Sequence, residues 1–359
     1  MDNYLTTIKI AIAVFPLIAL LISGPFILWQ YHKYGGISFF KGAVIYTFVL
    51  YLTCAYFLII LPLPKISEVA AMTSPTMRLV PFSFVGDFLR ETSFNLTNLQ
   101  SFLPSLAEAC VYVPLYNILL TVPFGFYLRY YFRLSLGKVV LCSFLLSLFF
   151  ELTQLSGLYF IYPRGYRLFD VDDLLLNTLG GLAGYFVATP FLKILPSRTQ
   201  LNQVSRKNGL VVSGLRRTAA LCLDVWIVMA CGLLLEQCFP DFSNSFSYFW
   251  WVLGLGYYFL LPIILNGATI AEKFLHLRVV NTNGEGGILV FYKRNLGFLV
   301  IFVLPWTIFD LVKSNNFMIF MLAIAATLID IVEAIRLLFT IKPMLHERMS
   351  GTRLVSTIE

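Results

Sequence analysis

The feature that most limits how this chain can fold is a series of long apolar runs, each of a length that crosses about 30 Å of hydrocarbon. Six segments carry such a run, and three more are interrupted by single polar groups. Hydrophobic residues make up 58% of the chain and charged residues 13%, against roughly a quarter in an ordinary soluble domain. We therefore predict an all-α polytopic membrane protein with about nine transmembrane helices in two bundles.

The positions of the basic residues predict how these helices are oriented. The predicted spans lie near residues 8–30, 42–63, 106–128, 137–160, 170–195, 218–238, 246–266, 295–313 and 317–341. With the N-terminus outside, 18 of the 26 lysines and arginines fall on the cytoplasmic side, as the positive-inside rule requires. We expect a multi-pass protein of the bacterial plasma membrane, with its C-terminus in the cytoplasm. The net charge of +7 then reflects topology, and no nucleic-acid partner is expected.

One long polar stretch of low aromatic content divides the chain. The predicted regions are an N-terminal transmembrane helix at 1–39, a first membrane domain at 40–195, a basic cytoplasmic linker at 196–211 and a second membrane domain at 212–359. Residues 64–105, here called the connecting segment, are expected outside as an interfacial or re-entrant element. In the second domain, the alternating stretch FLHLRVV precedes the turn sequence NTNGEGG, which predicts a small cytoplasmic β-hairpin.

Polar residues collect on one face of the fourth and fifth predicted spans. Charged groups in hydrocarbon are costly, so they indicate function by default. The residues that share these faces, or stand in the loop between the two spans, are Ser143, Ser147, Glu151, Gln154, Arg164, Arg167, Asp170, Asp173 and Asn177. Asp172 points almost the opposite way, so we expect its replacement to matter little. Glycines 180, 181 and 184 on the same stripe permit a neighbouring helix to approach closely.

Two interpretations of this cluster remain open. In the structural one, Asp170 and Asp172 cap a helix, and Arg164 or Arg167 neutralises Glu151 as an ion pair. In the functional one, the arginines hold a phosphate or carboxylate of a ligand, and the acids keep the guanidinium groups oriented.

The same region resembles the VanZ family over about residues 40–195. The resemblance is carried by Glu151-Leu-Thr-Gln154 and by the block from Arg167 through Asp170, Asp173 and Asn177 to Gly184, together with Val80-Pro81-Phe82, Asn117 and Val122-Pro123-Phe124-Gly125-Phe126. It implies a small helical membrane domain that is linked with resistance to glycopeptides of the teicoplanin type. The matching polar positions are Glu151, Gln154, Arg167, Asp170, Asp173 and Asn177.

A second polar cluster is predicted near the cytoplasmic face of the second domain. Arg217 and Asp224 lie nearly in register on one helix, and Asp330 falls at a similar depth on the last span, so the two aspartates are expected to meet. A closed salt bridge is the structural alternative. Residues 212–356 also resemble the RDD family, in Arg216-Arg217 with Asp224, in the stretch from Gly267 through Lys273 to Gly284, in Arg294, and in Asp330 with Gly351-Thr-Arg-Leu-Val. That resemblance suggests transport and adds Lys273 and Arg294 to the candidate residues.

The sequence favours a non-enzymatic envelope protein that needs no cofactor and binds or shields an amphiphile at the outer leaflet. Its expected partners are membrane lipids and a lipid-linked or amphiphilic ligand, and the oligomeric state is open. The alternative is a secondary transporter or lipid translocase that uses intramembrane carboxylates. An intramembrane hydrolase is the least favoured, since no Ser or Cys nucleophile has a partner base in view. The six cysteines and three histidines show no metal-ligand spacing.

Overall fold

The structure is a computed structural model that describes residues 2–94, 97–240, 249–312, 317–339 and 341–358. It separates into two compact units. The first unit comprises Met1–Leu21 and Phe40–Leu201, and the second comprises Ile22–Phe39 and Asn202–Glu359. The long first helix is therefore shared between the units, and the main division falls inside the segment predicted as a linker.

Helices dominate the N-terminal part of the chain. They are α1 (Asp2–Tyr34), α2 (Phe39–Ile60), α3 (Ile66–Ala70), α4 (Ser83–Glu91), α5 (Phe102–Ser105), α6 (Ala109–Tyr130), α7 (Leu136–Leu155), α8 (Gly157–Phe160), α9 (Val171–Phe191) and α10 (Arg198–Gly209), with a 3-10 turn at Leu99–Ser101. Two short strands, β1 (Met77–Arg78) and β2 (Phe169–Asp170), pair in parallel. The connecting segment therefore consists of short helices and one strand.

The C-terminal part mixes long helices with a small sheet. Its helices are α11 (Gly214–Cys238), α12 (Phe249–Leu255), α13 (Leu261–Ile264), α14 (Ile270–Phe274), α15 (Ile288–Phe298), α16 (Leu304–Val312), α17 (Phe317–Phe339) and α18 (Leu345–Ser350). Two π-helical turns, Gly256–Leu260 and Leu299–Val303, join α12 to α13 and α15 to α16. Strands β3 (Leu277–Asn281) and β4 (Thr352–Ser356) are antiparallel.

The described residues contain seven helices that are long and apolar enough to cross a membrane. They are Thr7–Tyr34, Phe39–Ile60, Ala109–Tyr130, Leu136–Leu155, Val171–Phe191, Gly214–Cys238 and Ile288–Phe309. These helices indicate an integral membrane protein, and they match seven of the nine predicted spans. The predicted span near 246–266 contains a shorter apolar helix, Phe249–Ile264, while α17 is not among the seven. Residues 246–248, 313 and 340 of the predicted spans lie outside the described ranges.

The predicted hairpin takes a different form. The alternating stretch does make a strand, β3, but its partner is β4, more than 70 residues further along the chain. An isolated bridge between Val280 and Gly286 crosses the glycine-rich turn. The reason is that helix α15 begins at Ile288, directly after the turn, so no second strand follows there to pair with β3.

Helices α6 and α9 pack closely through the predicted glycine stripe. A Cβ atom added to Gly180 would lie 2.1 Å from the Ile118 carbonyl oxygen, and one added to Gly184 would lie 2.1 Å from that of Val122. On α6, Gly125 faces Gly181 in the same way, at 1.9 Å from its carbonyl oxygen. Such distances exclude any side chain, so these glycines let the two backbones touch.

The polar stretch predicted as a linker is ordered as helix α10. Ser205 is fully buried, and the backbone of Gly209 contacts that of Gly35 and Gly36. The Asn208 side chain donates a 2.9 Å hydrogen bond to the Ile37 carbonyl oxygen. Leu201 adds an apolar contact, since it is buried in a hydrophobic cluster, but the other contacts are made by glycine backbone and small polar groups that composition does not reveal.

Candidate functional site

The short β1–β2 pair brings the connecting segment to the start of α9. In this parallel pair Arg78 stands opposite Asp170, and the Phe169 amide donates to the Thr76 carbonyl oxygen at 2.9 Å. Asp170 is also the N-cap of α9, where its Oδ1 accepts from the Asp172 amide at 2.9 Å. Asp170 therefore caps α9 as predicted, and the strand pair also places Arg78 beside its carboxylate.

Arg78 links two carboxylates. Its Nε donates to Asp170 Oδ2 at 2.8 Å, its Nη2 donates to the same oxygen, and its Nη1 donates to Asp87 Oδ2 at 3.0 Å. The hydrogen bond that Arg78 donates to Asp170, with further attraction from both carboxylates, raises the pKa of the Arg78 guanidinium. Arg78 is not among the candidate residues named from the sequence. Its partner lies 92 residues away, a contact that no local spacing reveals.

Asp172 faces the connecting segment and not solvent. It is 1% exposed, and its carboxylate accepts from the Phe82 amide at 2.5 Å, from Ser83 Oγ at 2.5 Å and from the Phe84 amide at 3.0 Å. The helical projection correctly separated Asp172 from Asp170 and Asp173. Three donors of the connecting segment thus converge on one buried carboxylate, and the effect of replacing Asp172 stays a prediction.

Glu151 and Gln154 are buried on the face of α7 that the sequence indicated. The Asp170 amide donates to Glu151 Oε2 at 3.0 Å, so the carboxylate of one helix meets the N-terminal end of the other. The Gln154 side chain instead donates to the Ile59 carbonyl oxygen at 3.0 Å, next to the end of α2. Gln154 thus belongs to the packing of α7 against α2.

Asp173 and Asn177 complete the stripe. The Asn117 side chain, on α6, donates to Asp173 Oδ1 at 2.5 Å. One turn further, the Asn177 side chain donates to Ser147 Oγ at 2.9 Å, and Thr121 Oγ1 donates to the Asn177 carbonyl oxygen at 2.7 Å. Asn177 Oδ1 is buried without a hydrogen-bond partner in the described part of the chain. These bonds run across α6, α7 and α9 and join the polar faces of all three helices.

The two loop arginines are not paired with Glu151. Arg164 donates through both terminal nitrogens to the carbonyl oxygens of Met72 and Ser74, and Arg167 Nη2 donates to the Leu61 carbonyl oxygen at 2.9 Å. Within the described ranges neither arginine forms an ion pair, so the expected Glu151 salt bridge is absent there. Both guanidinium groups therefore hold backbone carbonyl oxygens.

A cavity of about 390 Å³ lies beside these arginines, and we call it the first-unit cavity. Its lining residues are Met72, Ser74, Pro75, Met77, Arg78, Gly165, Tyr166, Arg167 and Leu168. Two guanidinium groups line it, and no carboxylate does so in the part of the chain that the structure describes. Arginine presents a planar fork of donors that suits phosphate and carboxylate groups, so the wall of this cavity favours an anion.

The second polar cluster is assembled differently from the prediction. Arg217 pairs with Glu347 at 3.2 Å and Arg294 with Glu272 at 2.6 Å. The hydrogen bonds of Asp224 come from Tyr257, Thr269 and the Ala271 amide, whereas Asp330 accepts from Trp306 Nε1 at 2.9 Å. The two aspartates therefore bond to separate partners, although both line one cavity with Arg217 and Arg294. Lys273 is exposed on α14 and does not line that cavity.

Neither Glu272 nor Glu347 is among the candidate residues named from the sequence, although both stand in helix-capping positions. Glu272 accepts from the Thr269 amide at 3.1 Å as part of a capping box, a pattern of Thr followed three residues later by Glu. Glu347 likewise accepts from the Met344 amide at 2.8 Å. Each carboxylate also pairs with an arginine, Glu272 with Arg294 and Glu347 with Arg217. In the described residues no three His, Cys, Asp or Glu side chains are placed to hold a metal ion.

Comparison with curated proteins and with solved structures found no match. The family match lies within the first unit and does not extend to the region that resembles RDD, whose resemblance stays a prediction. It falls within the boundaries predicted for the first membrane domain and spans α6, α7, α9 and the connecting segment. Residues 48–193 match the family model described as VanZ/LLP1, and this chain therefore carries a VanZ-like domain in its first unit.

Proposed function

We propose that the VanZ-like domain binds the anionic group of an amphiphile in the first-unit cavity. By binding or shielding that amphiphile at the outer leaflet of the plasma membrane, it lowers susceptibility to glycopeptides of the teicoplanin type. The VanZ-like match supports the link with resistance, and the helices that can span a membrane support an amphiphilic ligand.

The observation that carries the proposal is the pair of arginines on the cavity wall. Arg78 is anchored by Asp170 and Asp87, which fixes the guanidinium in place. Among the described residues Arg167 donates to one backbone carbonyl oxygen and forms no ion pair, so other donors of its guanidinium can meet a ligand. Arg78 is thus held in place, and Arg167 can pair with the charge of a ligand. The cavity is large enough for a phosphate or carboxylate headgroup.

The carboxylates act in this proposal as supports. Glu151 orients the Asp170 backbone, Asp170 orients Arg78, and Asp172 holds the connecting segment against α9. Loss of any of them displaces Arg78 without removing it. The functional role of Asp173 and Asn177 is to fix α9 against α6 and α7 so that this array keeps its geometry.

The test compares Arg167→Gln with Arg90→Gln in full-length protein expressed in a glycopeptide-sensitive host. Arg90 is an exposed arginine of α4 that does not line the cavity, so it controls for a simple loss of positive charge. We expect Arg167→Gln to return the inhibitory concentration of teicoplanin to that of cells without the protein, and Arg90→Gln to leave it unchanged. The membrane level of each variant is measured by immunoblot.

A binding measurement separates the ligand from the phenotype. Purified protein in nanodiscs of phosphatidylglycerol or phosphatidylcholine is released for native mass spectrometry, and retained lipid is counted. We expect retention of phosphatidylglycerol that Arg167→Gln removes and Arg90→Gln keeps. Equal retention of the two lipids by the wild-type protein, or an unchanged phenotype in well-expressed Arg167→Gln, would contradict the proposal.

One observation favours a second candidate, transport driven by protons. Glu151 is buried between α7 and α9, and its donor is a backbone amide and not a cation. A carboxylate in such surroundings is the kind that carries protons in transporters. If this is its function, Glu151→Gln and Asp224→Asn both abolish the phenotype, and it responds to dissipation of the proton gradient. Binding alone predicts no response to the gradient and little effect of Asp224→Asn.

A further inference from the structure

The second unit contains a cavity of about 610 Å³ that the VanZ-like match does not reach, here called the second-unit cavity. Its volume falls within the range of small-molecule sites. Aromatic side chains form much of its wall, among them Trp250, Trp251, Tyr258, Phe298 and Phe302. All of these lie in the second unit, on α12, α15 and the two π-helical turns.

The charges on this wall are unequal. Two arginines line it against five carboxylates, Asp224, Glu272, Asp330, Glu333 and Glu347. Each of the three glutamates is neutralised, Glu272 by Arg294, Glu347 by Arg217, and Glu333 by Arg336 at 2.7 Å. Among the described residues, the two aspartates have no cationic partner.

The two aspartates differ in how far they are satisfied. Asp224 is buried and accepts from Tyr257, from Thr269 Oγ1 at 2.8 Å and from the Ala271 amide at 3.2 Å. Asp330 Oδ2 accepts from Trp306 Nε1, but its Oδ1 is buried with no hydrogen-bond partner in the described residues. An unsatisfied acceptor on the wall of a cavity is a place where a ligand replaces a missing partner.

The neighbouring histidine adds no positive charge. His346 lines the same cavity, and burial, together with the nearby Arg294 and Arg217, lowers its pKa to about 3. Its imidazole is therefore neutral at physiological pH. The wall keeps its excess of carboxylates over cations, and both of its arginines already pair with glutamates.

We propose that the second-unit cavity binds a lipophilic organic cation, with Asp330 as its counter-ion and the tryptophan and tyrosine rings around its apolar body. Cations are attracted to the faces of aromatic rings, most strongly to Trp, and the attraction grows when water is removed. A carboxylate in low-dielectric surroundings gains from a mobile cation in the same way that the three glutamates gain from arginine.

The test uses two probes of nearly the same size and shape but opposite charge, tetraphenylphosphonium and tetraphenylborate. Each is titrated by equilibrium dialysis into full-length protein in a detergent of neutral headgroup. We expect the phosphonium to bind at least about tenfold more tightly than the borate, because only the cation pairs with the aspartate. Equal binding of the two probes, or tighter binding of the borate, would overturn the proposal. This comparison uses the wild-type protein alone.

Variants then locate the charge. Asp330→Asn is expected to weaken tetraphenylphosphonium binding by about tenfold and to leave tetraphenylborate unchanged. Glu236→Gln removes an acid of α11 that does not line the cavity, and should change neither affinity. An unaltered phosphonium affinity in Asp330→Asn, with an elution profile like that of the wild-type protein, would reject Asp330 as the counter-ion. The experiment involves neither antibiotic nor the first-unit cavity, so its outcome is independent of the function proposed for the VanZ-like domain.

Discussion

The two units use ion pairs for different purposes. In the first, Arg78 and Asp87 are 37% and 38% exposed, and their contacts bind a segment of short elements to the start of α9. In the second, Arg217 and Glu347 are 5% and 1% exposed, and they join α11 to the helix that precedes the last strand. A partly exposed ion pair holds a segment in place with a modest gain in stability. A buried pair is costly to break, because the charge that is left behind is buried without water or a partner.

The largest effect is expected from Arg217→Met, which breaks a buried pair. The Glu347 carboxylate would be left uncompensated, and we expect a loss of about 3–5 kcal/mol in the free energy of unfolding. Reversible unfolding in mixed detergent micelles measures it. The double variant Arg217→Met with Glu347→Leu should recover most of the loss. If the single variant is as stable as the wild-type protein, the contrast between the units is wrong.

A similarly large effect in the first unit should come from packing and not from charge. Gly184→Ala would place a Cβ 2.1 Å from the Val122 carbonyl oxygen, so α6 and α9 must move apart, at a cost of about 3 kcal/mol. Gly42→Ala, on α2, is the matched control, because a Cβ there meets nothing within 4 Å. Melting temperatures in detergent compare them. Equal melting temperatures would show that the glycine contact is not needed.

An intermediate effect is expected where the connecting segment meets α9. Asp172→Asn keeps the shape of the side chain but removes its charge, and weaker acceptance from the Phe82 and Phe84 amides should cost about 1–2 kcal/mol. The readout is hydrogen exchange at those two amides, which should speed up while the core of α6 stays protected. Unchanged exchange would mean that Arg78 alone holds the segment.

The smallest effect is a pH dependence in the second unit. The pKa of His346 is about 3 in the folded protein, below its usual value of 6.5, because burial and two arginines disfavour the proton. Between these values the unfolded state binds the extra proton, so stability falls as pH decreases below 6.5, by about 1 kcal/mol in the first pH unit. His346→Gln should flatten that slope. An equal slope in both proteins would show that His346 is not the group responsible.

The sequence predicted which residues of the site share a helical face, but it did not predict the residues that they contact. Glu151, Asp173 and Asn177 share a face because helical periodicity depends on local spacing alone, and the structure places their polar groups between α6, α7 and α9. Arg78 and Asp172 acquire their roles from contacts across about 90 residues, which spacing does not encode.

In the second unit, a shared helical face did not predict a contact. Arg217 and Asp224 are in register on α11, yet Arg217 pairs with a glutamate 130 residues later. Register on one helix says which side chains can share a direction, and nothing about what packs against them. The strand β3 was likewise predicted from its alternation, while its partner β4 came from a part of the chain with no hairpin signal.

The guanidinium of Arg216 can complete its hydrogen bonds only late in the synthesis of the second unit. Arg216 is fully buried, and its five hydrogen bonds end on the carbonyl oxygens of Gly209, Leu275 and His276 and on Ser356 Oγ. The ribosome delivers Arg216 first and Ser356 140 residues later, and β3 is complete more than 70 residues before β4 begins to follow it. During translation this charge and this strand edge are open, which makes the interval one in which a membrane chaperone or protease can distinguish an unfinished chain from a finished one.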